Sequence, residues 1–278
     1  MKLADTHTHT RFSSDSKAEP ADMLAAAKKA GLSTLCFTDH MDLDFPGDNT
    51  LFIFDTKEYF SELLPLKEST PADTTDASLP ELLLGIELGL RPSRPDLRER
   101  MNTLLAAHPF DFVIGSTHVV DELDPYYKEY WELPGDRLLR YFEDIRTNVA
   151  EHTNFDSLGH LDYIIRYLPD SVSLTKDYAV RDYMDLIDET LRTLVSRGQA
   201  LEVNTASLRK GLSFPHPKAE ILTRYLELGG ELITLGSDAH TPSDVGADIK
   251  KTAELLKTCG FKYYAVYKER KPIMERLL

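Results

Sequence analysis

The chain has 278 residues, 42% of them hydrophobic, and a formal net charge of −14. That length holds two small domains or one large α/β barrel, and the apolar content is enough for a substantial core, which excludes wholesale disorder. The acidic balance argues against a nucleic-acid partner; the lack of a leader-like start or a long apolar run argues against export and a membrane partner; and two isolated cysteines, Cys36 and Cys259, suggest neither a disulfide framework nor a thiolate zinc site, so a cytoplasmic protein is expected.

Taken in chain order, short apolar runs alternate with amphipathic stretches. The first predicted strand, KLA at 2–4, leads into DTHTHT with His7 and His9, two imidazoles that point the same way on an extended chain. A helix is expected over 19–31, with a proline near its start and a glycine at its end. STLCF at 33–37 runs into TDH and His40. The polar stretch 67–80 reads as a connecting loop, and ELLLGI at 81–86 ends at Glu87. A helix over 94–108 precedes DFVIG at 111–115, which ends in STH with His118. Residues 119–135, VVDELDPYYKEYWELPG, are long, aromatic and acidic, hold the sole tryptophan, and read as a rim insertion or lid. A helix over 135–152 leads to DSLG at 156–159, then His160 and Arg166. A helix over 179–198 leads to ALEV at 200–203, then Asn204, Arg209 and Lys210. A helix over 217–230 precedes LITLG at 232–236, followed by Asp238 and His240, and a helix over 244–260 precedes YYAVY at 263–267.

Such alternation implies a parallel sheet with crossover helices. Seven or eight units suit a closed or nearly closed barrel, with a doubly wound open sheet as the rival. In a barrel the strand ends open onto one face, where active sites sit. Seven successive strands therefore deliver His, carboxylate or amide groups to one mouth. A single histidine after a strand is ordinarily a satisfied core or surface residue; six of them with two carboxylates at corresponding positions are not scattered at random. His108 and His152 fall at helix ends on the opposite face, where the helix dipole suits them, and His216 lies in a loop on the side of the mouth.

Imidazole and carboxylate donors without thiolates suit zinc, manganese or iron. Eight or nine of them suit two or three divalent ions, and such a cluster suits hydrolysis of a phosphate ester. Arg166, Arg209 and Lys210 at the rim are candidates for phosphate, with ordinary surface salt bridges as the plainer alternative. Three acids of the rim segment, Asp121, Glu122 and Asp124, offer partners for a substrate ammonium, or else simply face solvent.

The ordered set DTHTHTRFSSDS, FTDH, GIE, STH, GHLDYIIRY, NTASLRKG and GSDAH, from residue 5 to residue 240, resembles the PHP (polymerase and histidinol phosphatase) superfamily, and within it the histidinol-phosphatase branch. The resemblance implies one α/β domain over 1–278, a distorted (β/α)7 TIM-like barrel with a trinuclear metal site at the C-terminal strand ends. It implies that His7, His9, Glu87 and Asp238 hold one metal, that a bridging Glu87 holds a second with His118 and His160, and that Asp15, His40 and His240 hold a third. Asp15 departs from the histidine many members carry there. Arg166, Arg209, Asn204 and Lys210 would lie near substrate. The implied reaction is hydrolysis of L-histidinol phosphate to L-histidinol and phosphate in histidine biosynthesis. A metal-bridging hydroxide would attack phosphorus in line, Arg166 and Arg209 would hold phosphate oxygens, and Asp238 or a metal-bound water would protonate the leaving oxygen. Asp5 and Asp39 are candidates to orient imidazoles, or plain turn residues. The alternatives are a PHP phosphoesterase acting on nucleotides or another small ester, and a catalytically silent metal-binding sensor.

Overall fold

Seven parallel staves wrap around a lumen in the computed structural model, which describes residues 2–70, 79–171 and 173–277. They are β1 (Ala4–Thr8), β2 (Thr34–Phe37) continued after a break by β3 (His40–Met41), β4 (Glu81–Gly89), β5 (Phe112–Ser116), β6 (Ser157–Leu158), β7 (Ala200–Asn204) and β8 (Ile233–Gly236). Their order in the sheet is the order in the chain, and β2 and β3 both pair with β4. Closure comes just past the strand ends: the Asp238 amide donates to the His7 carbonyl and the His9 amide to the Ala239 carbonyl, both at 2.8 Å. The open doubly wound sheet is thereby ruled out in favour of the barrel.

Helices cover the outside: α1 (Pro20–Lys29), α2 (Thr56–Glu68), α3 (Pro95–Ala107), α4 (Lys128–Trp131), α5 (Arg137–Glu151), α6 (Met184–Arg197), α7 (Ala206–Arg209), α8 (Ala219–Glu227) and α9 (Ile249–Thr258). Leu82, Leu84, Ile86 and Leu88 of β4 alternate toward these helices, as a strand's period of two demands, while Gly85, Glu87 and Gly89 face the lumen. Tyr59, Phe112, Phe142, Leu191 and Leu235 are among the fully buried apolar residues of one continuous core.

Three expectations need correction. The first strand is Ala4–Thr8 rather than 2–4, so His7 lies inside it; its alternating Thr and His face buried surroundings on both sides, which an apolar-run criterion misses. YYAVY adds no stave: β9 (Tyr263–Lys268) pairs antiparallel with β10 (Lys271–Arg276) in a separate hairpin, because an apolar run marks burial without saying in which sheet. An unpredicted helix, α2, begins where Asp55 caps the Lys57 and Glu58 amides at 2.8 and 3.2 Å. Of the expected loop at 67–80, residues 71–78 lie outside the described residues, and α2 runs through Glu68.

Candidate metal centre

The lumen-facing positions at the C-terminal strand ends converge. His7 and His9, alternate residues of β1 and its exit, bring their Nε2 atoms within 3.1 Å of each other. Glu87 of β4 reaches between them: its Oε2 lies 3.2 Å from His7 Nε2 and 3.6 Å from His9 Nε2. Asp238 Oδ1 lies 3.3 Å from His9 Nε2. The other Glu87 oxygen, Oε1, lies 3.2 Å from His118 Nε2 and 3.0 Å from His160 Nε2, and accepts the Ser116 hydroxyl at 2.6 Å. On the outer side, His240 Nε2 is 3.1 Å and His40 Nε2 is 3.7 Å from Asp15 Oδ2, and the His9 ring lies 4.0 Å from the His240 ring and 4.3 Å from that of His40. Sets of three donors close enough to share an ion are His7, His9 and Glu87; Glu87, His118 and His160; His9, His40 and His240; and His40, Asp42 and His118.

The donor atoms face one another in a way hydrogen bonding does not explain. Glu87 Oε2 is buried, 2.9 Å from His40 Nδ1 and 3.2 Å from His7 Nε2, yet it has no hydrogen bond, and His40 Nδ1 has none either. Lone pairs of imidazole and carboxylate converging on a common point are the arrangement a divalent cation requires, and the donor types suit zinc, manganese and iron. The residues therefore fit a polynuclear divalent-metal group.

Electrostatics agree with this packing. Burial by itself raises the Glu87 carboxyl, but the nearby His7, His40 and His118 outweigh it and hold the group well below the usual carboxylate range. Burial pushes His9 well down, and the neighbouring His240 and His40 push it further, which keeps the ring neutral and its lone pair available. Asp238 sits in the left-handed region at φ 56°, a conformation costly for a non-glycine residue and held here by the hydrogen bond its amide donates to the His7 carbonyl.

Supporting residues were partly foreseen. Asp39 accepts the Thr10 and Ser13 amides and hydroxyls, and Ser13 Oγ in turn lies 3.0 Å from His9 Nδ1, so Asp39 orients that ring through the serine. Asp5 binds no imidazole side chain; it accepts the Ser237 amide and hydroxyl and the Gly246 amide, pinning the turn that carries Asp238. Two residues were missed. Glu202 Oε1 lies 2.6 Å from His7 Nδ1 while its Oε2 accepts the His160 amide at 2.7 Å. Asp42 Oδ1 lies 2.8 Å from His118 Nδ1. A glutamate in the otherwise apolar, fully buried run ALEV was the available sign of the first; Asp42, past a two-residue strand, gave none.

Around the cluster opens a cavity of about 860 Å³ lined by, among others, Asp15, His40, Asp124, Arg166, Arg209 and Asp238. Arg166 Nη1 is 3.7 Å from Asp238 Oδ2, and its buried Nε has no hydrogen-bond partner. Arg209 donates to the Ser237 carbonyl at 2.6 Å, and the exposed Lys210 also lines the cavity. Asn204 is not among the residues that line it: fully buried, its Oδ1 accepts the Ala206 amide at 2.9 Å and closes the turn that leads into α7. His216 is also buried, its Nδ1 2.6 Å from Asp162 Oδ1. His152 and His108 stand apart, the first against the Arg91 carbonyl and the second against Thr56.

Known proteins align with this geometry. The PHP domain family profile matches residues 5–206. A probable histidinol-phosphatase of Clostridium acetobutylicum is 32% identical over 93% of this chain and 94% of its own. The histidinol-phosphatase of Lactococcus lactis subsp. lactis is 32% identical over 96% of this chain and 95% of its own. A crystal structure of histidinol phosphate phosphatase from the same Lactococcus, complexed with zinc, L-histidinol and phosphate, superimposes with a TM-score of 0.85 at 30% identity, covering 98% of this chain and 99% of that one. A putative histidinol phosphatase of Listeria monocytogenes shares the fold, with a TM-score of 0.74 at 20% identity, over 89% of this chain and 99% of that one.

Proposed function

The chain belongs to the PHP domain family, and on that premise we propose that it is a metal-dependent phosphomonoesterase that hydrolyses L-histidinol phosphate to L-histidinol and phosphate. The observation that carries the reading is Glu87, whose two oxygens each face imidazoles of a different group, beside a cavity lined by Arg166, whose Nε has no hydrogen-bond partner. The similarity to a histidinol phosphate phosphatase complexed with zinc, L-histidinol and phosphate supports the choice of substrate.

His7, His9, Glu87 and Asp238 would hold one divalent ion, Glu87 with His118 and His160 a second, and Asp15, His40 and His240 a third. Two or three ions of zinc, manganese or iron, when bound, supply Lewis acidity toward the phosphoryl group and water. The chain's own residues do the rest. Glu202 and Asp42 fix the tautomers of His7 and His118 by accepting hydrogen bonds from their Nδ1–H groups, leaving the Nε2 lone pairs free. Arg166, with Nε free and Nη1 near Asp238, binds and orients phosphate oxygens, and Arg209 and Lys210 add positive charge at the same edge. Asp238, an ionised carboxylate with Oδ2 beside Arg166, would first accept the proton released by the attacking water and then give it to the leaving oxygen. Residues 1–278 then form one PHP-type barrel, with 119–135 as a rim insertion that narrows the mouth. Both cysteines are free thiols, which supports a reducing, cytoplasmic setting.

The test is phosphate release from L-histidinol phosphate beside mononucleotides and sugar phosphates. A kcat/KM for histidinol phosphate at least about tenfold above every other ester is expected. Equal rates across the panel would overturn the substrate assignment.

A further inference from the structure

The first six residues of the rim segment, 119–124, carry three acids, and the structure separates them. Asp121 pairs with Arg137 at 2.6 Å and with Arg140 at 3.0 Å. Glu122 pairs with Arg91. Asp124 alone lines the cavity, and among the described residues no lysine or arginine lies within ion-pair distance of it. Its Oδ1 accepts the Tyr126 amide at 2.8 Å, which fixes the carboxylate at the cavity wall.

The cavity is lined by groups of both signs. Arg166, Lys176, Arg209 and Lys210 line it together with Asp238 and Asp244. Asp124, Asp42, Phe45 and Phe52 line it as well. Asp42 is 5% exposed, and its Oδ2 has no hydrogen-bond partner. Arg166 lies 4.9 Å from the Tyr167 ring centre and Tyr126 packs edge-on against that ring at 5.5 Å. Burial raises the Asp124 carboxyl, and the Tyr126 amide, His118 and Arg166 oppose that without cancelling it. A cationic alcohol entering a pocket with four basic side chains and bound metal ions meets repulsion unless a carboxylate offsets it.

We propose that Asp124 is the specificity residue of the pocket, the carboxylate that receives the ammonium group of the leaving alcohol while phosphate sits on the arginines. The proposal rests on the phosphomonoesterase reading above and adds the residue that selects an amino alcohol over a neutral one. It gives the acidic character of the rim a task that Asp121 and Glu122, already neutralised, do not share.

Asp124→Asn keeps an acceptor for the Tyr126 amide and removes the charge. L-Histidinol and, separately, inorganic phosphate are titrated calorimetrically into metal-loaded wild-type and D124N protein, and steady-state phosphate release from histidinol phosphate is followed in both. The expected result is histidinol affinity weakened, and KM raised, at least about tenfold, with kcat and phosphate affinity changed by less than about threefold. Equal histidinol affinity in the two proteins, or no histidinol binding to wild type, overturns the proposal. A parallel loss of phosphate affinity also overturns it, because it marks general damage to the site. If histidinol binds in an Asp124-dependent way but its phosphate ester is not hydrolysed, the proposed reaction falls and Asp124 keeps its role.

Discussion

Glu202 and His7 show how a single side chain sets the site. Glu202 faces His7 Nδ1 with one oxygen and accepts the His160 main-chain amide with the other, so one carboxylate ties the His7 imidazole to the backbone that carries His160. Glu202→Gln keeps the size and the bond to the His160 amide but removes the charge facing His7. Metal affinity is expected to fall about 10- to 100-fold with an unchanged circular dichroism spectrum; unaltered affinity in a chelator competition would contradict the role. His7→Ala removes a donor outright, and most phosphatase activity should vanish with the fold kept. The histidines, Glu87 and Asp238 were legible because each follows or ends an apolar run, where a barrel gathers its polar groups. Glu202 and Asp42 were not, because whether a polar residue in or beside a strand faces the lumen or solvent depends on which neighbours close around it.

The strands hold these side chains at fixed spacing only where small residues permit it. A Cβ on Gly236 of β8 would meet His7 Cβ at 2.3 Å and Glu202 Oε1 at 2.5 Å. Gly236→Ala should therefore displace the pair and lower metal content, read by elemental analysis of the purified variant; full occupancy would contradict the packing argument. The rim segment is tied down through α5: Asp121 binds Arg137 and Arg140, and Arg140 also binds the buried Asp144 at 2.8 Å. Burial raises Asp144 to about 6, with Arg140 opposing and Asp121 and Glu143 assisting. A folded value above the unfolded one means stability that is full below pH ~4 and lost as pH rises through ~6. Asp144→Asn should thus gain on wild type between those values, on the order of 2 kcal/mol by urea denaturation; a constant difference across that range would contradict it. At this scale the sequence conveyed alternation and most strand positions well, and sheet membership poorly. Apolar runs located β2, β5, β7 and β8 to within a residue or so at each end. The thin Thr and His pattern of β1 shifted that strand, α2 went unread, and YYAVY, whose run is as apolar as a barrel strand, pairs in a hairpin instead.

For the whole molecule, the barrel's logic is that a net charge of −14 surrounds a mouth where basic side chains and imidazoles gather. Parallel order and closure between β1 and β8 bring residues as distant in sequence as His7 and Asp238 together. Ions bound there bind the folded chain, so removing them should cost stability. With free metal about 100-fold above its dissociation constant, each site adds about 2.7 kcal/mol, and stripping the centre with a chelator should lower Tm by at least roughly 5 °C. No change in Tm would contradict a metal-dependent fold. The parallel alternation made the barrel legible; its closure was not, since it rests on main-chain bonds in the turns after the strands. The most direct test of the account is elemental analysis of the metal-loaded protein beside Glu87→Gln. We predict two to three zinc, manganese or iron ions per chain in the first and loss of at least one in the second, as expected if this carboxylate joins two donor groups. Fewer than two ions in the wild type, or an undiminished count in E87Q, would contradict a polynuclear centre built on Glu87.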